Sequence, residues 1–372
     1  MKVRFWFLSF GYLLASGLVF IYSFSQIDLN LTLSANRIYQ TFQQYLIQLG
    51  YFQRPQSALI YVLLCIIMFA FYLRICNLTK NNSLDLKQIK FLIIAVGLIL
   101  LFAYPAFSHD LFNYIFDARI VVLHHANPWI TKPNDFGLDP WLRFMHWTHR
   151  TYPYGPFWLA TSIIPYFLGF GKFALTLINF KILGFLSYLV SCFMIYKISK
   201  NKLSLSLFAF NPLVLWESLI NSHLDAFMIS LGLVAIYFFQ NKKKIPATIL
   251  LILSIAVKYA TLGLIPFYLK KYSWQKKIIL SCMLLSIGIL IQIMLREVLP
   301  WYFLTLIPIF ILQGSRFLQN IVIGLGLGGI LYYLAYVYFG VWVNDQTVII
   351  SRLLLFFLPV LIGVLYGFFK KN

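Results

Sequence analysis

The sequence predicts an all-α, polytopic integral membrane protein, and three observations carry that expectation. Hydrophobic residues fill 61% of the 372 positions, charged residues only 11%, and the mean hydropathy is +0.82. An ordinary soluble domain carries roughly 25% charged residues, so this chain cannot clothe a globule of its size in charge. Apolar runs recur along the whole chain, with room for about ten to twelve helical spans at ~20 residues each. The net charge of +20 is gathered in short basic clusters between those runs, as in cytoplasmic loops that meet anionic lipid. A soluble enzyme, a disordered protein and a nucleic-acid binder are excluded. The chain reads as one unit over 1–372, with N-terminal spans in 1–107, a polar loop with surface helices in 108–171 and further spans in 172–372.

Taken in order, spans are expected near 5–24, 57–75, 91–107, 174–196, 203–220, 223–240, 276–295, 298–313, 319–341 and 347–369. The first is basic and then apolar without a small-residue cleavage site, and is read as retained. Cys65, Cys76, Cys192 and Cys282 lie in or beside apolar stretches without metal-ligand spacing, and are read as packing residues. Two stretches, 156–170 and 245–269, are ambiguous, and the positive-inside rule decides both. With the N-terminus in the cytoplasm, a full crossing at 156–170 puts Lys197, Lys200, Lys202 and the Lys242–Lys244 run outside. The segment is short and bracketed by Pro156, Pro165 and Gly169, so a surface or re-entrant helix is expected. The second stretch must return Lys270, Lys271, Lys276 and Lys277 to the inside. It is too short for two spans, so a shallow hairpin with its apex near Lys258 is expected, shielded by protein or a wet cavity. Both chain ends then lie in the cytoplasm of an inner or plasma membrane. Most of the 30 basic residues face inward, and all six histidines face outward.

Chemistry belongs in the long polar loop by elimination, since no phosphate-binding Gly-rich loop, zinc spacing or tandem repeat is found. A helix starting at Asp110 puts Asp110, Asn113, Tyr114, Asp117 and His124 on one face and Leu111, Ile115, Ala118 and Val122 on another. That pattern predicts a helix lying along the outer membrane surface, ended by Asn127-Pro128, with the Asp110 carboxylate at the lipid boundary. Further on, Glu217 and Asp225 flank the turn Asn221-Ser222-His223. A carboxylate at mid-bilayer costs roughly 2.5–3.5 kcal/mol on insertion scales. One on each side of a turn implies a polar cavity that both face, with Lys258 a third ionisable group at the same depth. The competing structural readings are plain. Asp110 and Asp225 are well placed as helix caps, Arg119 as a snorkelling side chain, and His109, His124 and His125 as loop residues. Tyr152, Tyr154, Trp301 and Tyr302 suit an interfacial aromatic belt.

The succession SHDLFNYIFDAR, NPW, YPYGPFW, FNPLVLWESLINSHLDAF, AVKYATLGLIPF and LPWY, from about residue 100 to 310, resembles the GT-C superfamily of membrane glycosyltransferases. It is closest to the bacterial polyprenyl-phosphate-mannose-dependent mannosyltransferases. Relatives often carry Gly at the position of Ser222 and His-Asn-Asp where this chain has His223-Leu224-Asp225. The resemblance implies Asp110 as catalytic base and 156–170 as part of the same loop. It also implies that a hexose, expected to be mannose, moves from a polyprenyl phosphate to a glycolipid or envelope glycan outside the membrane.

Phosphate is a good leaving group, so one carboxylate that takes the acceptor proton suffices, and a single displacement inverts the anomeric centre. Arg119 and Lys258 are the expected binders of the donor phosphate, with His223 as a further cation. Asp225, Glu217 and His223 form the expected second acidic site for donor or acceptor. Tyr114, Asn127, Tyr152, Tyr154, Trp301 and Tyr302 are the expected substrate contacts. No cofactor is expected. A divalent ion among Asp110, His223 and Asp225 is left open, since nothing in the sequence brings them together. A transporter or flippase of a lipid-linked sugar is the alternative, weakened because the hairpin at Lys258 has no counterpart in the N-terminal half. A scaffold with a degenerate site is the third reading.

Overall fold

A computed structural model describes residues 2–342 and 345–369; the terminal residues Met1 and 370–372, placed in the cytoplasm by the charge pattern, lie outside them. Every regular element among the described residues is helical, as a chain with lipid for solvent requires, because helices satisfy their own backbone. The first helices are α1 (Lys2–Ser23), α2 (Arg37–Ile47), α3 (Arg54–Lys80) and α4 (Leu86–Leu101). Then come α5 (Asp110–Val122), α6 (Pro156–Phe167) and α7 (Phe173–Ser199). They are followed by α8 (Lys202–Ala209), α9 (Pro212–Leu215), α10 (Leu224–Gln240), α11 (Lys244–Ile255) and α12 (Trp274–Leu295). The last four are α13 (Leu306–Gln313), α14 (Arg316–Leu331), α15 (Leu334–Phe339) and α16 (Gln346–Phe369).

Six helical stretches are long and apolar enough to cross a membrane, or seven with α8 and the α9 segment counted as one bent span. The protein is therefore a multi-pass membrane protein. The three remaining expected crossings are shorter: α4 has 16 residues, α10 has 17, and the span expected near 298–313 is the short apolar stretch Pro300–Gln313. At 1.5 Å per residue α4 and α10 reach only about 25 Å.

Polar contacts tie the apolar helices together where the hydrophobic effect cannot. The Tyr61 hydroxyl donates to the Ile330 carbonyl at 2.6 Å, and Thr79 and Ser206 share a bond of 3.0 Å. The α14–α16 pair is built on small residues. A Cβ on Gly328 would lie 2.2 Å from the Phe356 carbonyl oxygen, and one on Gly324 would lie 2.6 Å from that of Pro359.

Three irregular stretches shape the site. The span 202–220 bends by 56° at Phe210-Asn211-Pro212. Pro212 has no N–H to continue α8, and the Asn211 side chain caps α9 by accepting from the N–H groups of Leu213 and Val214. Carbonyls released by the break are taken up by tyrosines: Tyr72 donates to Leu207 O at 3.2 Å and Tyr188 to Ala209 O at 2.8 Å. A π-turn, Trp216–Ile220, follows α9. The second stretch is the expected hairpin. Helix α11 ends at Ile255, Lys258 is extended, and a 3-10 helix runs over Tyr259–Tyr268. The third is the long loop, whose helix α6 occupies the segment read as non-crossing.

Helix α5 departs from expectation in two ways. It stops at Val122, not at Asn127, and it does not lie on a surface. Nine of its thirteen residues are buried, Asp117 and Arg119 among them. The loop 123–155 and helices α6 and α7 fold over both faces, with Phe112 stacked on Phe173 and Tyr114 edge-on to Trp158. Two-sidedness in the sequence thus reflects two protein environments instead of lipid and water. A further element, the capped helix α2, had no counterpart in the sequence reading. It is anchored through Gln43, which donates to the Leu31 carbonyl at 2.7 Å.

Candidate active site

The π-turn and the break before α10 bring Glu217 and His223 inward, and α5 delivers Asp110 to them. The His223 side chain is fully buried between two carboxylates. Its Nδ1 lies 3.6 Å from Asp110 Oδ2 and its Nε2 lies 3.4 Å from Glu217 Oε2, and neither nitrogen makes a hydrogen bond. Trp301 stacks on the imidazole at 4.1 Å and 17°. Glu217 is held by Asn221 Nδ2 at 2.9 Å and by the Tyr333 hydroxyl at 2.6 Å. At the start of α10, Asp225 accepts from Lys258 Nζ at 2.9 Å, and the ammonium sits 4.9 Å from the centre of the Tyr302 ring. Trp147 Nε1 donates to Asp110 Oδ1 at 3.3 Å. Burial pushes the Asp110 carboxyl up to about 6, the Lys258 ammonium opposing that shift and Asp225 adding to it. A carboxylate with that affinity for protons takes one up more readily than an exposed aspartate does.

Backbone bonds hold the loop to the hairpin. Gly155 N–H donates to Val257 O and Phe157 N–H to Ala256 O, each at 3.0 Å. The approach is so close that a Cβ on Gly155 would stand 2.0 Å from the Ala256 oxygen. This seam fixes Lys258 relative to the loop that carries Asp110. A cavity of about 370 Å³ begins at Asp225, Lys258 and Tyr302 and continues along Leu262, Leu284 and Ile289. Leu262 and Leu284 are exposed, so it opens sideways on the apolar face of the protein.

The structure therefore brings Asp110, Glu217, His223, Asp225, Lys258, Trp301 and Tyr302 into one cluster. Tyr154 and Tyr114 adjoin it, their rings edge to face at 5.4 Å. Tyr152 supports the seam by donating from its hydroxyl to the Gly155 carbonyl at 2.9 Å. Two residues are placed elsewhere. Arg119 is paired with Asp139 at 2.6 Å, donates to the Tyr166 hydroxyl at 3.1 Å and covers Trp141. It lies nine positions after Asp110, on the opposite side of α5 and about 13 Å along it. The Asn127 side chain shapes its own turn by accepting from Trp129 N–H at 3.0 Å. Asp225 is committed to Lys258 and His223 Nε2 faces Glu217, so Asp110, His223 and Asp225 do not converge on a shared ligand position.

Sequence reasoning missed four groups that build this site: Trp147, Asn221, Tyr333 and Lys181. The Lys181 ammonium, buried in α7, donates to the carbonyls of Leu219 and Ile220 at the end of the π-turn. A cation in the middle of an apolar span was the available signal.

A bent span, a hairpin and a polar cluster beside an apolar-walled cavity make up the candidate active site of this membrane protein. The comparison with known families is specific: the family model described as MptA_B, alpha-(1->6)-mannopyranosyltransferase, N-terminal domain, matches residues 13–272. That is well over half of the chain, and the protein belongs to this family; it is a glycosyltransferase with mannosyltransferase activity. No curated protein and no solved structure matches it. The matched region includes Asp110, His223 and Lys258, while Trp301, Tyr302 and Tyr333 are contributed from beyond it.

Proposed function

We propose that the protein transfers mannose from a polyprenyl-phosphate donor to a glycolipid or envelope glycan on the extracytoplasmic side of the plasma membrane, with inversion. Residues 108–171 serve as the catalytic loop of a single domain whose two ends lie in the cytoplasm. The observation that carries this reading is Lys258. It stands at the polar end of a cavity that opens to lipid, one ion pair away from the acidic cluster. A lipid-linked sugar fits that arrangement, with its chain against α12 and its phosphate at the ammonium. Lysine offers three donors, so Nζ can hold Asp225 and a phosphate oxygen together.

Asp110 takes the proton from the acceptor hydroxyl as that oxygen bonds to the anomeric carbon. The bond from that carbon to the phosphate oxygen breaks, and the electron pair leaves with the phosphate, whose growing charge Lys258 stabilises. His223 buttresses Asp110, while Trp147 fixes its orientation. The family description names an alpha-(1->6) linkage; for this chain we take the acceptor to be a primary hydroxyl, and inversion then calls for a β-linked donor. No step in this scheme requires a cofactor.

The test is transfer in proteoliposomes with a radiolabelled polyprenyl-phosphate mannose. Asp110→Asn is expected to insert normally and lose about 10²–10⁴-fold in kcat. In the wild type, kcat/KM is expected to fall as the pH drops through about 6, because the base of the free enzyme is then protonated. Turnover by Asp110→Asn at the wild-type rate would overturn the assignment.

A further inference from the structure

A second cluster of ligating side chains lies beside the acidic one. Asp28 follows α1, His109 immediately precedes α5, and His146 belongs to the loop 145–150. Their ligating atoms all lie within 4.8 Å of one another. The two imidazole rings are nearly parallel, with centroids 3.7 Å apart at 21°. His146 Nε2 stands 3.5 Å from Asp28 Oδ2. The other Asp28 oxygen accepts from Asn30 N–H at 2.8 Å, and the Asp28 N–H donates to the Tyr104 hydroxyl at 3.2 Å. The carboxylate is thus oriented from behind, with Oδ2 turned toward the histidines, as partners behind a metal ligand commonly arrange it.

Two imidazoles and a carboxylate from three separate segments form a donor set suited to a borderline divalent ion. Ligands about 2.0–2.1 Å from a tetrahedral ion stand roughly 3.3 Å apart. Side-chain movements of the order of 1 Å close the gap, and His146 is exposed and free to make them. We propose that Asp28, His109 and His146 bind one such cation, with Zn²⁺ as the reference ion and water completing its shell. The ion joins the end of α1, the start of α5 and the 145–150 loop. Two of its ligands are sequence neighbours of the active-site pair: His109 of Asp110, and His146 of Trp147, which donates to that aspartate. The ion is therefore a clasp that holds Trp147 over Asp110 and takes no part in bond making. Only its effect on transfer rests on the assignment of Asp110.

The experiment uses the full chain purified in detergent, stripped with chelator, and titrated with Zn²⁺ against a chromophoric chelator. Bound metal and the midpoint of thermal unfolding are both read. One equivalent is expected to bind and to raise the midpoint by several degrees. Asp28→Asn and His146→Ala should each weaken binding at least about 10-fold. His124→Ala, which removes a histidine paired with Asp139, should leave binding unchanged. Asp110→Asn should keep the ion while losing transfer, so the metal site and the catalytic assignment fail separately. Absence of binding, or equal loss in His124→Ala and His146→Ala, would overturn the proposal.

Discussion

Helix α5 carries a cluster of charges at each end, and the two differ in how completely their polar groups are satisfied. Near its C-terminal end, Asp139 accepts from Arg119 at 2.6 Å, from His124 at 2.7 Å and from Trp141 N–H at 2.8 Å. Burial works against ionisation there, yet the Arg119 hydrogen bond and its companions hold the Asp139 carboxyl below the usual range. At the N-terminal end, Asp110 shares His223 with Glu217 at distances beyond a good bond, and burial moves its carboxyl the other way. A saturated network stiffens the loop, whereas an unsaturated one leaves Asp110 Oδ2 the oxygen that the proposed base would use. Asp117, seven positions after Asp110 on the same face, has no cation to offset its burial, which keeps its carboxyl well above the carboxylate range.

Three variants separate the two ends of α5, in order of expected effect. Removing both members of the Lys258–Asp225 pair, with Lys258→Met and Asp225→Asn together, leaves no unpaired charge behind. It is expected to lower kcat/KM for the lipid donor by about 10²–10³-fold while thermal unfolding changes little. An equal loss of stability would place this pair with the Arg119 network instead. Asp139→Asn should do the reverse, costing about 2–3 kcal/mol of stability through the weakened bonds to Arg119 and His124. Turnover per folded molecule should hold, as read by scanning fluorimetry beside the transfer assay. The smallest effect is at Ser222, which sits at φ 53° in the turn before His223. Ser222→Gly should relieve up to about 1 kcal/mol of backbone strain without altering transfer; a slower enzyme would mean that the serine hydroxyl has a part in the site.

The parts of this arrangement that were legible in the sequence share one property: a local pattern announced them. Lys258 stands out inside an apolar stretch too short for two spans, and the hairpin breaks there. Glu217, His223 and Asp225 lie within nine positions of one another around one turn. Asp110, at the mouth of the long loop, completes them. What escaped was long-range pairing. Tyr333 reaches Glu217 across 116 positions, and Trp147 reaches Asp110 across 37; no periodicity encodes either contact. The misreading of α5 has a different origin. A helix with a polar and an apolar face looks the same whether the polar face meets water or a folded loop, and here Trp147, Tyr154 and Trp158 supply the cover. Arg119, expected beside Lys258 at the donor phosphate, instead falls on the far side of α5 from Asp110, because nine residues turn a helix by two and a half revolutions.

The seam at Gly155 couples two doors. In the proposed reaction the isoprenoid tail would enter beside the hairpin and the glycan would approach over the loop, and two main-chain bonds stitch those walls together. Any outward movement of the hairpin would therefore pull on the loop wall as well. The proposed donor and acceptor berths would then be mechanically linked through this seam.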